Sequence, residues 1–173
     1  MIHQELFARI DEKFDAVCAH VESQDIDEFV KAHTPEKWSN GQHLDHLRKT
    51  TRALNKGLAM PKLALKLKFG SKKGEENSYE DIEDRYHKLV GQATAPKSVI
   101  PDELSAEDKG RVIKWFQQEK ETMKEALTKY SDKQLSGYVL PHPVLGKLSI
   151  REMTYWCIMH TEHHHALMKR DNK

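Results

Sequence analysis

At 173 residues the chain is expected to form one domain, long enough to bury a core without disulfide or metal staples, so any metal it holds is expected to serve chemistry rather than folding. Lys plus Arg total 28 and Asp plus Glu total 27, and the resulting +1 formal charge, with a pI near 7.8, excludes a surface built throughout to grip nucleic acid or an anionic membrane. A mean hydropathy of -0.77 with 32% charged residues points to heavily solvated faces, yet 38% hydrophobic residues exclude a disordered chain.

Ile2, Leu6, Phe7, Ile10, Phe14, Val17, Cys18 and Val21 recur at helical spacing and predict a first helix of about five turns. This segment is acidic and amphipathic rather than a signal peptide, and no apolar run approaches the ~20 residues of a membrane helix, so a cytoplasmic location is expected. Ser39 with Gln42 forms a capping-box pattern behind Trp38, a candidate hydrophobic staple, and opens a second helix over about 39 to 60 that carries Leu44, Leu47, Leu54 and Leu58 and stops at Pro61. Residues 61 to 104 are broken by prolines and glycines and read as a long connection, with one short helical candidate from Tyr79 to Val90. Within it, KLALKLKFGSKK (62 to 73) holds Lys62, Lys66, Lys68, Lys72 and Lys73 without an acid. That run reads as a solvated face over a packed one, or as a phosphate contact at a site mouth. Ser105 opens a third helix with Val112, Ile113, Trp115, Phe116, Met123, Ala126 and Leu127 on its buried side, ending near Tyr130. Residues 131 to 148 read as a loop. Ser149 and Glu152 form a second capping box, and the fourth helix carries Ile150, Met153, Trp156, Cys157, His160, His164 and Leu167 on one stripe. With no convincing strand, the prediction is an all-α four-helix bundle.

Histidine is the unusual residue: of 11, five (His142, His160, His163, His164 and His165) fall in the last 32 positions. His160 and His164 lie one turn apart, at a separation two imidazoles use to share a metal ion. A bare pair of this kind is also what surface histidines look like. These two, however, continue the stripe that must face the core, where an unpaired imidazole is costly and needs a partner. Helix 2 offers one in His46, with His43 a turn earlier. At ~1.5 Å rise per residue His46 sits about 10 Å from the start of its helix, and His164 and His160 roughly 9 to 15 Å from the end of theirs. They meet only if the two helices run antiparallel. A plain up-down-up-down bundle would make them parallel, but the connection of 44 residues between helices 2 and 3 is long enough to act as a crossover and restore the match.

Trp38-Ser39 with Gln42 and His46-Leu47, the run from His142 to Ser149, and His160-Thr161-Glu162-His163-His164 together resemble the DinB/YfiT-like superfamily of metal-dependent enzymes. The resemblance spans nearly the whole chain and departs from the family pattern after His164, at Met168 and its neighbours. It implies a DinB-like four-helix bundle in which His46, His160 and His164 bind a divalent metal ion. Three neutral imidazoles leave at least one coordination position open, as in catalytic zinc sites, and an all-nitrogen set suits zinc or nickel. Such an ion lowers the pKa of a bound water or holds a thiolate. The resemblance therefore implies an enzyme acting on a small molecule, either a hydrolase or an S-transferase using a low-molecular-weight thiol cosubstrate such as bacillithiol or mycothiol.

His43, His142, Cys157 and His163 are candidates for supporting the site or touching substrate, each with an ordinary structural alternative: a polar helix position, a turn histidine, a buried thiol and a packed ring. His165, on the other side of His164, is assigned to solvent or to packing. No carboxylate falls on the inner stripes, so metal-bound water is the only base assigned. Cys18 and Cys157 read as reduced thiols. A homodimer is plausible, a nucleic-acid partner is not expected, and the rival function is a non-catalytic helical bundle for metal binding or assembly.

Overall fold

The structure is a computed structural model that describes residues 2–32, 34, 37–90 and 95–171. Among them are eight α-helices: α1 (Ile2–Ser23), α2 (Ile26–Val30), α3 (Asn40–Leu58), α4 (Lys62–Phe69), α5 (Tyr79–Leu89), α6 (Lys109–Thr128), α7 (Asp132–Gly137) and α8 (Ile150–Asp171). One antiparallel hairpin, β1 (Val139–His142) with β2 (Gly146–Ser149), completes the set. The four long helices α1, α3, α6 and α8 form the bundle. Their shared core is built from the apolar stripes read in the sequence, with Phe14 of α1 stacked on Phe116 of α6 at 4.8 Å between ring centroids.

Contacts along the helices fix their directions. On α1 and α6, Asp11 meets Lys124 and Asp15 meets Lys120, so these two are antiparallel. On α3 and α6, Asn55 donates to the Glu119 carbonyl and the Leu58 carbonyl accepts from Tyr130 just past α6, so these are parallel. On α3 and α8, residues 43, 46 and 51 meet 164, 160 and 157, so these are antiparallel, as the histidine heights require. The crossover works through α5. Its Tyr79 and Tyr86 pack on Tyr155 and His160 in rising order, so α5 runs with α8 and against α3 and carries the chain back to the end where α3 began.

Caps follow the sequence closely at two helix starts. Ser39 and Gln42 exchange hydrogen bonds at the start of α3, and Ser149 and Glu152 do so at the start of α8. Three expectations need correction. The third helix opens with a 3₁₀ turn (Ala106–Asp108) held by Ser105, becomes α-helical only at Lys109, and turns Trp115 outward rather than into the core, 40% exposed with the Arg48 and Arg111 guanidinium groups over its ring. The connection at 61 to 104 contains α4 as well as α5; the Lys–Leu alternation hid α4 because only Leu65 of that helix is fully buried. The stretch at 131 to 148 is not a loop: Ser131 and Gln134 cap α7, and the hairpin follows, turning at Gly146, whose φ of 76° suits a residue without Cβ. Met168, where the chain leaves the family pattern, is fully buried in the core.

No described helix is long and apolar enough to cross a membrane. The lysine run at 62 to 73 is partly spent on structure: Lys62 donates to the Lys129 carbonyl and to Gln134, and Lys72 binds Glu152.

Candidate metal centre

His46 of α3 and His160 and His164 of α8 converge in the core, each less than a tenth exposed, with one ring nitrogen from each inside a 4.8 Å cluster. His160 Nε2 stands 3.2 Å from His46 Nε2 and 3.1 Å from His164 Nε2. Nitrogens bound to one tetrahedral ion at about 2.0–2.1 Å lie about 3.3 Å apart, so the spacing fits a shared cation. Proton counting leads to the same place. His46 Nδ1 donates to the Val99 carbonyl at 2.7 Å, which leaves a lone pair on Nε2. One proton on His160 Nε2 could satisfy only one of its two facing nitrogens, whereas a cation accepts all three lone pairs at once.

Burial first, then repulsion among the clustered imidazoles, holds His160 and His164 well below the ordinary histidine pKa. Burial likewise lowers His46 against the opposing pull of its bond to Val99. All three are therefore neutral near pH 7, the state a metal ligand needs.

The surroundings orient these rings. His43 Nδ1 meets His164 Nδ1 at 2.8 Å, so His43 holds the His164 ring in place. Trp38 closes on His43 at 5.5 Å, on His46 at 4.8 Å and on His164 at 6.0 Å, so the residue expected as a staple clamps imidazoles instead of an aliphatic side chain. Trp156 stacks on His160 at 4.8 Å, and Tyr86 sets its edge towards His160 and His163.

The other candidates separate. His142 Nδ1 accepts the backbone N–H groups of Val144 and Leu145, which fixes the turn of the hairpin and leaves Nε2 as the protonated nitrogen. Burial lowers its pKa to about 4, so His142 is a neutral ring whose one N–H remains available, and it lines the same cavity as the cluster. His163 also lines that cavity, whereas His165 turns to His20 of α1. Cys157 does not line it. Its thiol lies 3.9 Å from the Thr51 hydroxyl, and burial pushes its pKa up to about 12, so it is a packed thiol rather than a nucleophile.

Two carboxylates are buried after all. Asp45 binds Arg48, Lys49 and the Asp102 amide, and Glu152 binds Lys72, Asn77 and the Ser149 amide. Neither lines the cavity, so neither is placed to act as a base there. Periodicity gave no sign of either buried acid because the partner that buries each comes from the crossover: the Asp102 amide for Asp45, and Lys72 with Asn77 for Glu152. The Val99 carbonyl was equally invisible, being a backbone group on the crossover.

The cavity holds about 710 Å³ and reaches from the histidines along α3 to Gly57. A helical bundle with three buried, neutral, convergent imidazoles on the wall of a large cavity defines a class of protein whose site fits a divalent metal ion. A family model described as the DinB superfamily matches residues 9–168, and the chain belongs to that superfamily. No curated protein and no solved structure matches it.

Proposed function

We propose that the protein is a divalent-metal-dependent enzyme acting on a small molecule, with His46, His160 and His164 holding the ion. The observation that carries this reading is the position of the three nitrogens: they meet at the inner wall of a 710 Å³ cavity rather than in a closed core. A closed set of ligands would serve structure, whereas three protein ligands beside an open space suit catalysis. When bound, the ion supplies Lewis acidity that makes a water or a thiol nucleophilic near neutral pH.

The chain's own residues support such a reaction in definite ways. The Val99 carbonyl and His43 set the tautomers of His46 and His164. Trp38 and Trp156 hold the rings against rotation and shield them from bulk water. His142, neutral and protonated at Nε2, is suited to donate a hydrogen bond to a substrate oxygen. Zinc and nickel both fit the donor set.

The test is metal analysis of protein prepared without an affinity tag, repeated on His46→Ala. One ion per chain, lost in the variant, is the expected result; equal metal in both proteins overturns the assignment. A panel of ester and amide substrates, run beside a thiol-dependent conjugation assay, then assigns the nucleophile as water or thiol.

A further inference from the structure

The cavity wall itself says what kind of molecule belongs there. None of its described lining residues is Asp, Glu, Lys or Arg, although charged residues make up 32% of the chain. Its polar side chains are mainly the imidazoles and groups close to them, and Thr50 spends its hydroxyl proton on the Leu47 carbonyl. Beyond Thr50 the wall is Ala53, Leu54 and Met60, with Phe69, Leu140 and Met153 also lining it. From His46 to Gly57 the lining follows about 16 Å of helix. A charge carried into this stretch would leave water without finding a partner, whereas an apolar chain gains from every methylene it buries.

We propose that the pocket takes a substrate with an uncharged apolar arm, alkyl or aryl, lying along α3 and a polar reacting head at the three histidines. The reading of the site as a metal-dependent enzyme is needed only to place the head; the arm's binding follows from the wall alone. A carboxylate or thiolate at the head is compatible with a bound cation, but a charge further along the arm is not. A neutral ester or amide with a hydrocarbon arm fits, and a thiol cosubstrate bearing carboxylates away from its sulfur does not.

The test measures displacement of Nile red, a neutral apolar dye, from metal-stripped and from zinc-loaded protein. In the stripped form octan-1-ol is expected to displace the dye, with decan-1-ol roughly tenfold better for its two added methylenes. Octanoate and octylammonium are expected to be at least tenfold weaker than octanol, on the order of what an unpaired charge costs in an apolar wall. Ala53 lines the cavity and its side chain is not packed in the core, so Ala53→Phe fills the space. It should weaken alcohol binding about tenfold with unchanged circular dichroism and metal content. Charged analogues that compete as well as octanol for the stripped protein, octylammonium that competes as well as octanol for the zinc-loaded protein, or no gain with chain length in the unaltered protein, overturn the proposal. Absence of metal from the untagged protein is a separate readout: it removes the enzyme reading and leaves the displacement result to stand or fall alone.

Discussion

His43 and His164 face each other through their Nδ1 atoms at 2.8 Å, across the gap between α3 and α8. One of these nitrogens must donate to the other. For His164 Nε2 to present a lone pair to the cluster, its Nδ1 must carry the proton, and His43 must accept it. His43 is thus the group that selects the ligand tautomer of His164. Replacing it with Phe keeps the ring against Trp38 but removes the acceptor. The expected outcome is a metal affinity lower by roughly 10- to 100-fold with little change in helicity, read by competition with a chromogenic chelator. Unchanged affinity would show that His164 needs no such partner.

The same burial that makes the histidines good ligands makes the metal-free protein sensitive to acid. His46, His160 and His164 are held below the ordinary histidine range, and His142 at about 4, all mainly by burial. Unfolded histidine titrates near 6.5, so below that pH the unfolded chain takes up protons that the folded chain refuses. Stability from these rings is therefore complete above the unfolded value and lost as pH falls beneath it. The slope approaches about 1.4 kcal/mol per pH unit for each ring kept neutral. Urea unfolding of stripped protein at about pH 8, 6.5 and 5 should show a plateau and then a decline. A midpoint that stays level down to the lowest pH would contradict the burial of these rings.

Gly41 explains how α3 can start where it does. A Cβ placed there would lie 2.7 Å from the Phe29 ring and 2.8 Å from the Phe29 carbonyl oxygen, and a backbone atom cannot swing aside. Within a helix, Gly to Ala ordinarily stabilises by about 1 kcal/mol. Here Gly41→Ala should instead destabilise by about 1–3 kcal/mol, because α2 must shift away from α3. Thermal unfolding decides the sign, and a gain in stability would mean that the α2–α3 contact yields freely. His43 and His46 lie on the first turns of the same helix, so reduced metal affinity should accompany the loss.

Much of this architecture could be read from local chemistry. The apolar stripes of α1, α3, α6 and α8, and the Ser39 and Ser149 caps, depend on neighbours within a few residues and were visible for that reason. The pairing of His46 with His160 and His164 was legible in part: helix rise lets these rings meet only between antiparallel helices, and the connection is long enough to permit that arrangement. The elements that were hidden carry no sequence period that matches their form. The hairpin depends on His142 accepting from its own turn and on pairing with β2, and α4 shows too little buried surface for a period to appear. Val99 reaches His46 from the crossover through a backbone carbonyl, which carries no side-chain signature at all.

Glu152 is a buried charge that fastens the early part of the crossover to α8. Its side chain is 0% exposed and accepts from Lys72 at 2.6 Å, from the Asn77 amide at 2.8 Å, from the Asn77 side chain and from the Ser149 amide at 2.7 Å. Burial alone would raise its pKa, but Lys72 and these amides outweigh it and hold the carboxyl below its usual range. Because Asn77 directly precedes the Ser78 cap of α5, the carboxylate ties the helix that carries Tyr86 to the first turn of α8. Glu152→Ala strands Lys72, whose side chain is only 15% exposed, and leaves two backbone donors unpaired. A loss of about 3 kcal/mol is expected, a drop of roughly 6–12 °C in melting temperature for a chain of this size. Lys72→Met should cost less, since the carboxylate keeps its amide donors, and the double variant should fall short of the sum because the two residues share one interaction. Additive losses would mean that Lys72 and Glu152 act independently and that the fastening lies elsewhere.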